Sequence, residues 1–582
     1  MAKKAPHIGV IGGGIAGLRC ADILLQKGFR VTILEGRNRL GGRLHQARLR
    51  QALTSVDGET NAENSNEGYI VDMGPNWIHG TKKNPILDLV RATNTVACRH
   101  DVDEQGVNLG GAVFDGEGVM LPLDEGEALS TIMWTIIEEA FVHSNKDCSI
   151  IDPGESLYDF FKQRLDAHIL PAETSHTKAE ADFDVRKRNL VLQMVDFWGA
   201  FVGSPVSRQS LKYFWLEECI EGGKENLFCA GTYKKVLDRL AEPVVAKDAV
   251  LYGKTVTHIE STTQKSNRES DKTEQPSVSV STLSGEAYTF DEVVCTMPLG
   301  WLKKNEATGF EPALPPRLRQ AIANIGYGSL EKVYISFSEA FWQRPDMKTG
   351  RSVRGFYQWL APGSYAQPSN PKHWSIEAFD MAALPVSTAH PTLLFYTYGE
   401  QSVYIMKTLA AMRSADDKDD EPVEARCPNA KQTAFLLDHF QPYFSTLPHY
   451  DPVSPACQPT GIITTNWLHD DLAGNGSYSN FQVGLVAGDE DIKVMREGLP
   501  GRGLWLAGEH TSPFVALGTA TGAYWSGESV GRRIAKMYGR GDEAEVTVGE
   551  EDRAQPEAQV QVPSTLCTSS SFPHIERDVK GR

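Results

Sequence analysis

The sequence predicts a two-domain α/β protein, and three observations carry that expectation. The chain opens on an apolar strand, a glycine-rich turn, an amphipathic helix and a second strand. At 582 residues it exceeds the length at which one hydrophobic core keeps growing. Near its other end, "GLWLAGEHTSPFVALGTATGAYWSG" (Gly503–Gly527) passes from an apolar run into small residues where a helix should begin. Small residues at that spacing leave room for something large and rigid against the backbone.

The opening elements follow in order. "HIGVIG" (His7–Gly12) reads as a short buried strand. In the helix after it, Ile15, Leu18, Ala21 and Leu25 share one stripe, and Gly28 is the expected C-terminal cap. "RVTILE" (Arg30–Glu35) is the second strand, which completes a βαβ unit. Between strand and helix, Gly12, Gly14 and Gly17 form a GxGxxG turn. The first glycine permits the turn, the second lets a pyrophosphate reach the backbone, and the third lets helix and sheet pack closely. The helix N-terminus then presents free N–H groups and a positive dipole end to the anion. Glu35, ending the second strand, is placed to accept hydrogen bonds from a ribose diol. Together these features predict a dinucleotide fold. "GRNRLGGRLH" follows directly, and its Arg37, Gly41, Gly42 and Arg43 extend the anion-binding surface, since a guanidinium donates in a planar fork.

Three polar stretches, Ala47–Gly68, Ser261–Ser277 and Met412–Gln432, are expected as surface loops, the second splitting the strand-like runs "VTHIE" and "VSVSTL". From about Gly541 the chain is acidic, then Ser/Pro-rich, and 541–582 is expected to be a disordered tail. No fixed-period repeat is present.

Composition excludes several classes. Hydrophobic residues at 41% and charged residues at 23% describe a soluble globular protein, and no apolar run approaches the ~20 residues of a membrane span. Nine scattered cysteines, never spaced CxxC, predict neither a disulfide framework nor a zinc site. A net charge of −17 with no basic stripe argues against nucleic-acid binding. The start carries no secretion-type segment and the final "KGR" is not a peroxisomal SKL signal, so the cytoplasm is the expected location.

Further blocks carry a resemblance. "VDMGPNWIHG" (Val71–Gly80), "VVCTMPLGWLKK" (Val293–Lys304), "SLEKVYISF" (Ser329–Phe337), "NWLHDDLAGNGSYSN" (Asn466–Asn480) and "AGEHTSPFVALGTATGAYWSG" stand in that order. With the RxGGR stretch at Arg39–Arg43, the chain from about residue 7 to 535 resembles the flavin-containing amine oxidase family, its polyamine oxidases in particular. The resemblance implies FAD, with the ADP half on the N-terminal unit and the isoalloxazine held by the C-terminal block. It implies a discontinuous FAD-binding domain (1–90, 225–300 and 455–540) and an α+β substrate-binding domain (91–224 and 301–454). FAD contacts are expected from Gly12, Gly14, Gly17, Glu35, Arg37, Gly41, Gly42, Arg43, Gly74, Pro75, Asn76, Trp77, Val256, Trp467, Gly508 and Glu509. Gly518, Thr519 and Ala520 would bring backbone N–H groups to the flavin N1/O2 edge, while Gly522 and Gly527 would allow close helix packing. Ser477 stands where membrane-bound monoamine oxidases carry the cysteine that bonds FAD, so the FAD is expected to be non-covalent.

The same resemblance implies the chemistry. Lys332 would act through a water near flavin N5. His79 and Thr519 match the animal-type polyamine oxidases, with His79 hydrogen-bonding the amine and Tyr478 forming an aromatic wall. A neutral amine would lose hydride from its α-carbon to N5, water would hydrolyse the imine, and dioxygen would leave as hydrogen peroxide. Spermine, spermidine or their N-acetylated forms are the expected substrates. A histone-demethylase-like enzyme, another amine oxidase and a non-catalytic flavin-binding scaffold stand as alternatives. No acid occurs in Trp198–Leu211, where plant-type relatives place a carboxylate. Glu217 and Glu218 lie nearby without a secure alignment, which leaves the distal ammonium without an assigned partner.

Overall fold

The N-terminal unit folds as its pattern dictates: strand His7–Ile11, helix Ile15–Gln26, strand Arg30–Leu34. In this computed structural model the described residues are 5–51, 68–99, 101–102, 109, 111–169, 177–217, 226–262, 277–345, 352–413 and 428–541. The expected tail beyond residue 541 and most of the three polar stretches lie outside them. Ile15, Leu18 and Ala21 are buried, and Leu25 packs half-buried on the same core. The helix ends at Gln26 with Lys27 as its cap, and Gly28 follows at φ +76°, a left-handed turn that costs glycine no Cβ clash.

These strands join a five-stranded parallel sheet in the order Leu504–Leu506, Glu292–Cys295, His7–Ile11, Arg30–Leu34, Val250–Leu251. Strands covered on both faces read as nearly continuous apolar runs, as "VVC" and "LWL" do here. The α/β expectation holds. The C-terminal helix, Ala520–Met537, lies along helix Ile15–Gln26. A Cβ on Gly527 would meet the Ala16 carbonyl oxygen at 2.0 Å, so there the two backbones touch.

A six-stranded sheet, antiparallel except at one edge, stands apart from the first. Its order is Gly461–Thr464, Leu330–Ser336, Thr392–Tyr398, Ile376–Asp380, Phe356–Trp359, Ala112–Phe114. Its register places Lys332 opposite Tyr396, Tyr396 opposite Glu377, and Glu377 opposite Gln358. Directly paired residues point to the same face, so these four form one row across the sheet.

Two of the expected loops begin later than their composition suggests. Gln46–Leu49 pairs antiparallel with Tyr69–Asp72, burying Leu49 against Val71, so the first polar stretch hides a strand at its start. Strand Val256–Thr262 runs past Ser261 and pairs with Ser277–Thr282. Six cysteines among the described residues are free thiols. No helix among them is long and apolar enough to cross a membrane, and no His/Cys/Asp/Glu group among them could hold a metal.

Candidate active site

A cavity of about 2910 Å³ opens where the C-terminal ends of the parallel strands meet the Lys332 row. That is roughly three times the upper size of an ordinary small-molecule pocket, ~1,000 Å³. Ligands in open parallel sheets bind at this end of the strands.

The N-terminal unit supplies one end. Gly12, Gly14, Glu35, Arg37, Gly41, Gly42 and Arg43 line it. The Gly13 and Arg37 backbone N–H groups donate to the two Glu35 oxygens at 2.7 and 2.8 Å, which fixes the carboxylate at the tip of the strand. Burial pushes Glu35 upward in pKa, and those two donors and the nearby arginines oppose the shift. No side chain caps the helix that starts at Ile15, so its first N–H groups remain available. Gly17 does not line the cavity. A Cβ there would stand 2.0 Å from the Gly12 carbonyl oxygen, so its part is to let the helix close on the turn. The Arg37 guanidinium grips both oxygens of Asp470, at 2.9 and 2.7 Å, which ties the glycine turn to the segment after Trp467.

Arg43 links the two ends of the chain. Its Nη1 donates to Glu509 Oε1 at 3.0 Å and to the Ser477 carbonyl at 2.6 Å. Glu509 also accepts from Ser479 Oγ at 2.6 Å. Burial works to raise the Glu509 carboxyl, but Arg43, His510 and Ser479 outweigh it and hold it below the usual carboxylate range. Gly508, Glu509, Gly518, Thr519 and Ala520 line the cavity, as does Val256. The N–H groups divide differently from expectation. Those of Gly518 and Thr519 donate to the Glu509 and Ala516 carbonyls, and Thr519 Oγ1 caps Gly522 N–H at 3.0 Å. The first helical N–H groups, on Ala520 and Thr521, are left outside the helix ladder. Gly522 packs on its own preceding turn, at the Ala516 carbonyl, whereas Gly527 meets the other helix.

Gly74, Pro75, Asn76, Trp77, His79, Lys332, Trp467 and Tyr478 line the remaining walls. Lys332 Nζ donates to the Gly74 carbonyl, to Asn76 Oδ1 and, at 3.2 Å, to the Asp72 carbonyl. Burial drives this amine down from the ordinary lysine range, and the Asp72 carboxylate opposes that. Asp72 is itself pushed up by burial, while Gln46, Lys332 and the Tyr233 N–H pull it back. Trp467 Nε1 donates to the Met73 carbonyl at 3.2 Å, and Tyr478 OH to the Phe201 carbonyl at 2.6 Å. His79 lies 3.3 Å from Asn226 Oδ1, and burial lowers its pKa, keeping the imidazole neutral.

Two cavity residues, Glu377 and Tyr396, escaped sequence reasoning, and a third, Glu217, was noted there as an acid without a place. Glu217 takes a hydrogen bond from Trp198 Nε1 at 3.3 Å and is pushed up to about 8 by burial. Glu377 accepts from Gln358 Nε2 at 2.8 Å and is pushed up to about 7, again by burial. Tyr396 OH donates to Asn76 Oδ1 at 3.2 Å. Only the strand register and the return of Phe214–Glu217 to the cavity wall bring them together.

The family model described as flavin containing amine oxidoreductase matches residues 15–535, nearly the whole described chain. The chain belongs to that family. Its relatives include Polyamine oxidase 2 of Arabidopsis thaliana, 24% identical over 95% of this chain and 94% of that one. Lysine-specific histone demethylase 1 homolog 2 of Oryza sativa is 27% identical over 88% of this chain but only 54% of that longer protein. Among solved structures, cyclohexylamine oxidase from Brevibacterium oxydans shares the fold at TM-score 0.59 and 17% identity, over 92% of this chain and all of that one. The cofactor of this family member is FAD. The cavity fits it: two helix N-termini with unengaged N–H groups, at Ile15 and Ala520, face one space, and a buried carboxylate, Glu35, lines it just past the end of the second strand.

Proposed function

We propose that this chain is an FAD-dependent polyamine oxidase that holds its FAD without a covalent bond and acts in the cytoplasm. The observation that carries the reading is a half-buried carboxylate, Glu217, beside the aromatic wall of Tyr478 in the cavity that holds Lys332. An ammonium remote from the reacting nitrogen finds there both a counter-charge and an electron-rich ring. The similarity to a polyamine oxidase along almost all of both chains supports it.

Bound FAD supplies the hydride acceptor and passes the electrons to dioxygen. The protein's part is positioning and proton control. The reacting nitrogen must be neutral, because only its lone pair stabilises the developing iminium. His79, kept neutral by burial, can hydrogen-bond that nitrogen without adding a competing charge. Lys332 Nζ, driven toward its neutral form, can take a proton from the water that adds to the imine carbon. Ser477 Oγ accepts from the Leu330 N–H at 3.1 Å and offers no thiol to a flavin.

The test is anaerobic mixing of the FAD-loaded protein with spermine, spermidine, their acetylated forms, a monoamine and a methylated lysine peptide, followed by flavin absorbance. Rapid bleaching by polyamines is expected. Bleaching by the peptide alone would transfer the reading to a demethylase, and bleaching by the monoamine alone to a simple amine oxidase. A bound flavin that nothing bleaches would favour a scaffold.

A further inference from the structure

Glu377 sits in the third strand of the row that carries Lys332, two strand spacings from it, or about 10 Å. Lys332, Tyr396 and Glu377 all line the cavity. The Glu377 residue is only 8% exposed. Among the described residues, its single hydrogen-bond donor is the Gln358 amide, and no lysine, arginine or histidine pairs with it. A buried carboxylate with one neutral partner is costly, and a group arriving in the cavity is what would complete it. As a purely structural acid, Glu377 would be expected to point into protein and to meet further donors, as Glu331 does with Thr465 and the Leu468 N–H. Instead it faces the cavity.

The second acid lies beyond two rings. Tyr396 is within electrostatic range of both Glu377 and Tyr478, and Tyr478 of Glu217. The sequence of groups is therefore carboxylate, tyrosine, tyrosine, carboxylate, with Lys332 beside the first tyrosine.

We propose that Glu377, held by Gln358, is a second ammonium-binding residue, and that the site selects linear amines charged on both sides of the oxidised C–N bond. This rests on the polyamine reading and narrows it. Free spermine and spermidine, with a cation at each end, satisfy both carboxylates. An amine acetylated at the end facing Glu377 leaves that acid unpaired, and a monoamine leaves both unpaired apart from the reacting nitrogen. An ammonium entering beside Glu377 also favours the ionised carboxylate, so burial of the acid does not prevent pairing.

Binding and turnover are measured separately on the FAD-loaded protein. Titration calorimetry with 1,8-diaminooctane and with octylamine reads binding, and anaerobic flavin bleaching by spermine and N1-acetylspermine reads oxidation. The diamine is expected to bind the wild-type protein about 30-fold or more tightly than the monoamine, as losing one partner of a buried charge pair implies. Glu377→Gln should remove most of that advantage while octylamine affinity stays within about threefold, a change typical of a site not touched. Equal affinity of the two amines for the wild-type protein, which needs no variant, would overturn the proposal. So would a Glu377→Gln loss of the same size for both amines. Glu377-dependent diamine binding without bleaching by any amine would leave the second ammonium site standing and remove the oxidase reading instead.

Discussion

The Lys332 amine shows how one side chain is set by its surroundings. Three oxygens, from Gly74, Asn76 and Asp72, surround its Nζ, yet two are backbone carbonyls and one a neutral amide oxygen. Burial therefore controls its protonation, and the Asp72 carboxylate is the one opposing charge. The Asp72 carboxylate is in turn held by Gln46 Nε2 at 2.7 Å and by the Tyr233 N–H. Lys332→Met should slow imine hydrolysis, and with it steady-state turnover, by about 10²–10⁴-fold, the usual worth of a placed acid–base group, with anaerobic flavin bleaching little changed. Comparing steady-state turnover with stopped-flow bleaching separates the two steps, and an unaltered turnover would remove Lys332 from the chemistry. Asp72→Asn keeps the acceptor for Tyr233 but deletes the anion that favours the protonated amine. Lys332 then falls further below its ordinary range, and the limb of the pH–rate profile that belongs to it should move to lower pH. A shift to higher pH, or none, would show that Asp72 does not set the Lys332 charge.

At the scale of elements, the contact between helix Ile15–Gln26 and helix Ala520–Met537 decides whether two N-termini face one cofactor. Gly527→Ala puts a methyl group 2.0 Å from the Ala16 carbonyl oxygen, a backbone atom with no way to swing aside. The helices must part, at a cost of about 1–3 kcal/mol for overpacking, and the FAD affinity should fall with it. Thermal melting and FAD fluorescence on the same variant check both, and a stable variant with full affinity would show that the contact is not required. Elements of this kind were legible in the sequence because their signals are local. The GxGxxG turn, the Gly28 stop and the small-residue block each announce their own geometry. Glu377 was illegible for the opposite reason. "SIEAFD" alternates like any buried strand, and only pairing with Tyr396, nineteen positions later, turns Glu377 toward Lys332. Glu217 was visible as an acid, but its place depends on Phe214–Glu217 packing with Trp198 against the cavity wall. Arg37 and Arg43 carried the reverse lesson. Their type suggested anion binding, while each is already paired, with Asp470 and Glu509.

At the scale of the whole molecule, the cavity is a junction. Its walls come from the turn after the first strand, from the Gly74–His79 segment, from Val256 and Thr296, from the Lys332 sheet, and from the block that ends in the C-terminal helix. Separate hydrophobic clusters lie behind these walls, one around the helix Ile15–Gln26 side and another behind the Lys332 sheet. Between the walls the described chain leaves a space of about 2910 Å³. A ligand that spans this space stabilises only the state in which both walls are formed, so its binding energy adds to folding. At FAD one hundred times above its Kd the gain is about 2.7 kcal/mol, which corresponds to a rise in Tm of roughly 5 °C or more at ~2–4 °C per kcal/mol for a domain of 150–250 residues. Removing FAD should therefore lower the Tm and broaden or split the transition, as the two clusters begin to melt apart. Readdition of FAD should restore a single transition. The measurement is differential scanning calorimetry of the FAD-free and reloaded protein at matched concentration. Identical melting with and without FAD would mean that the two walls hold together unaided, and that the cavity is rigid before its cofactor arrives.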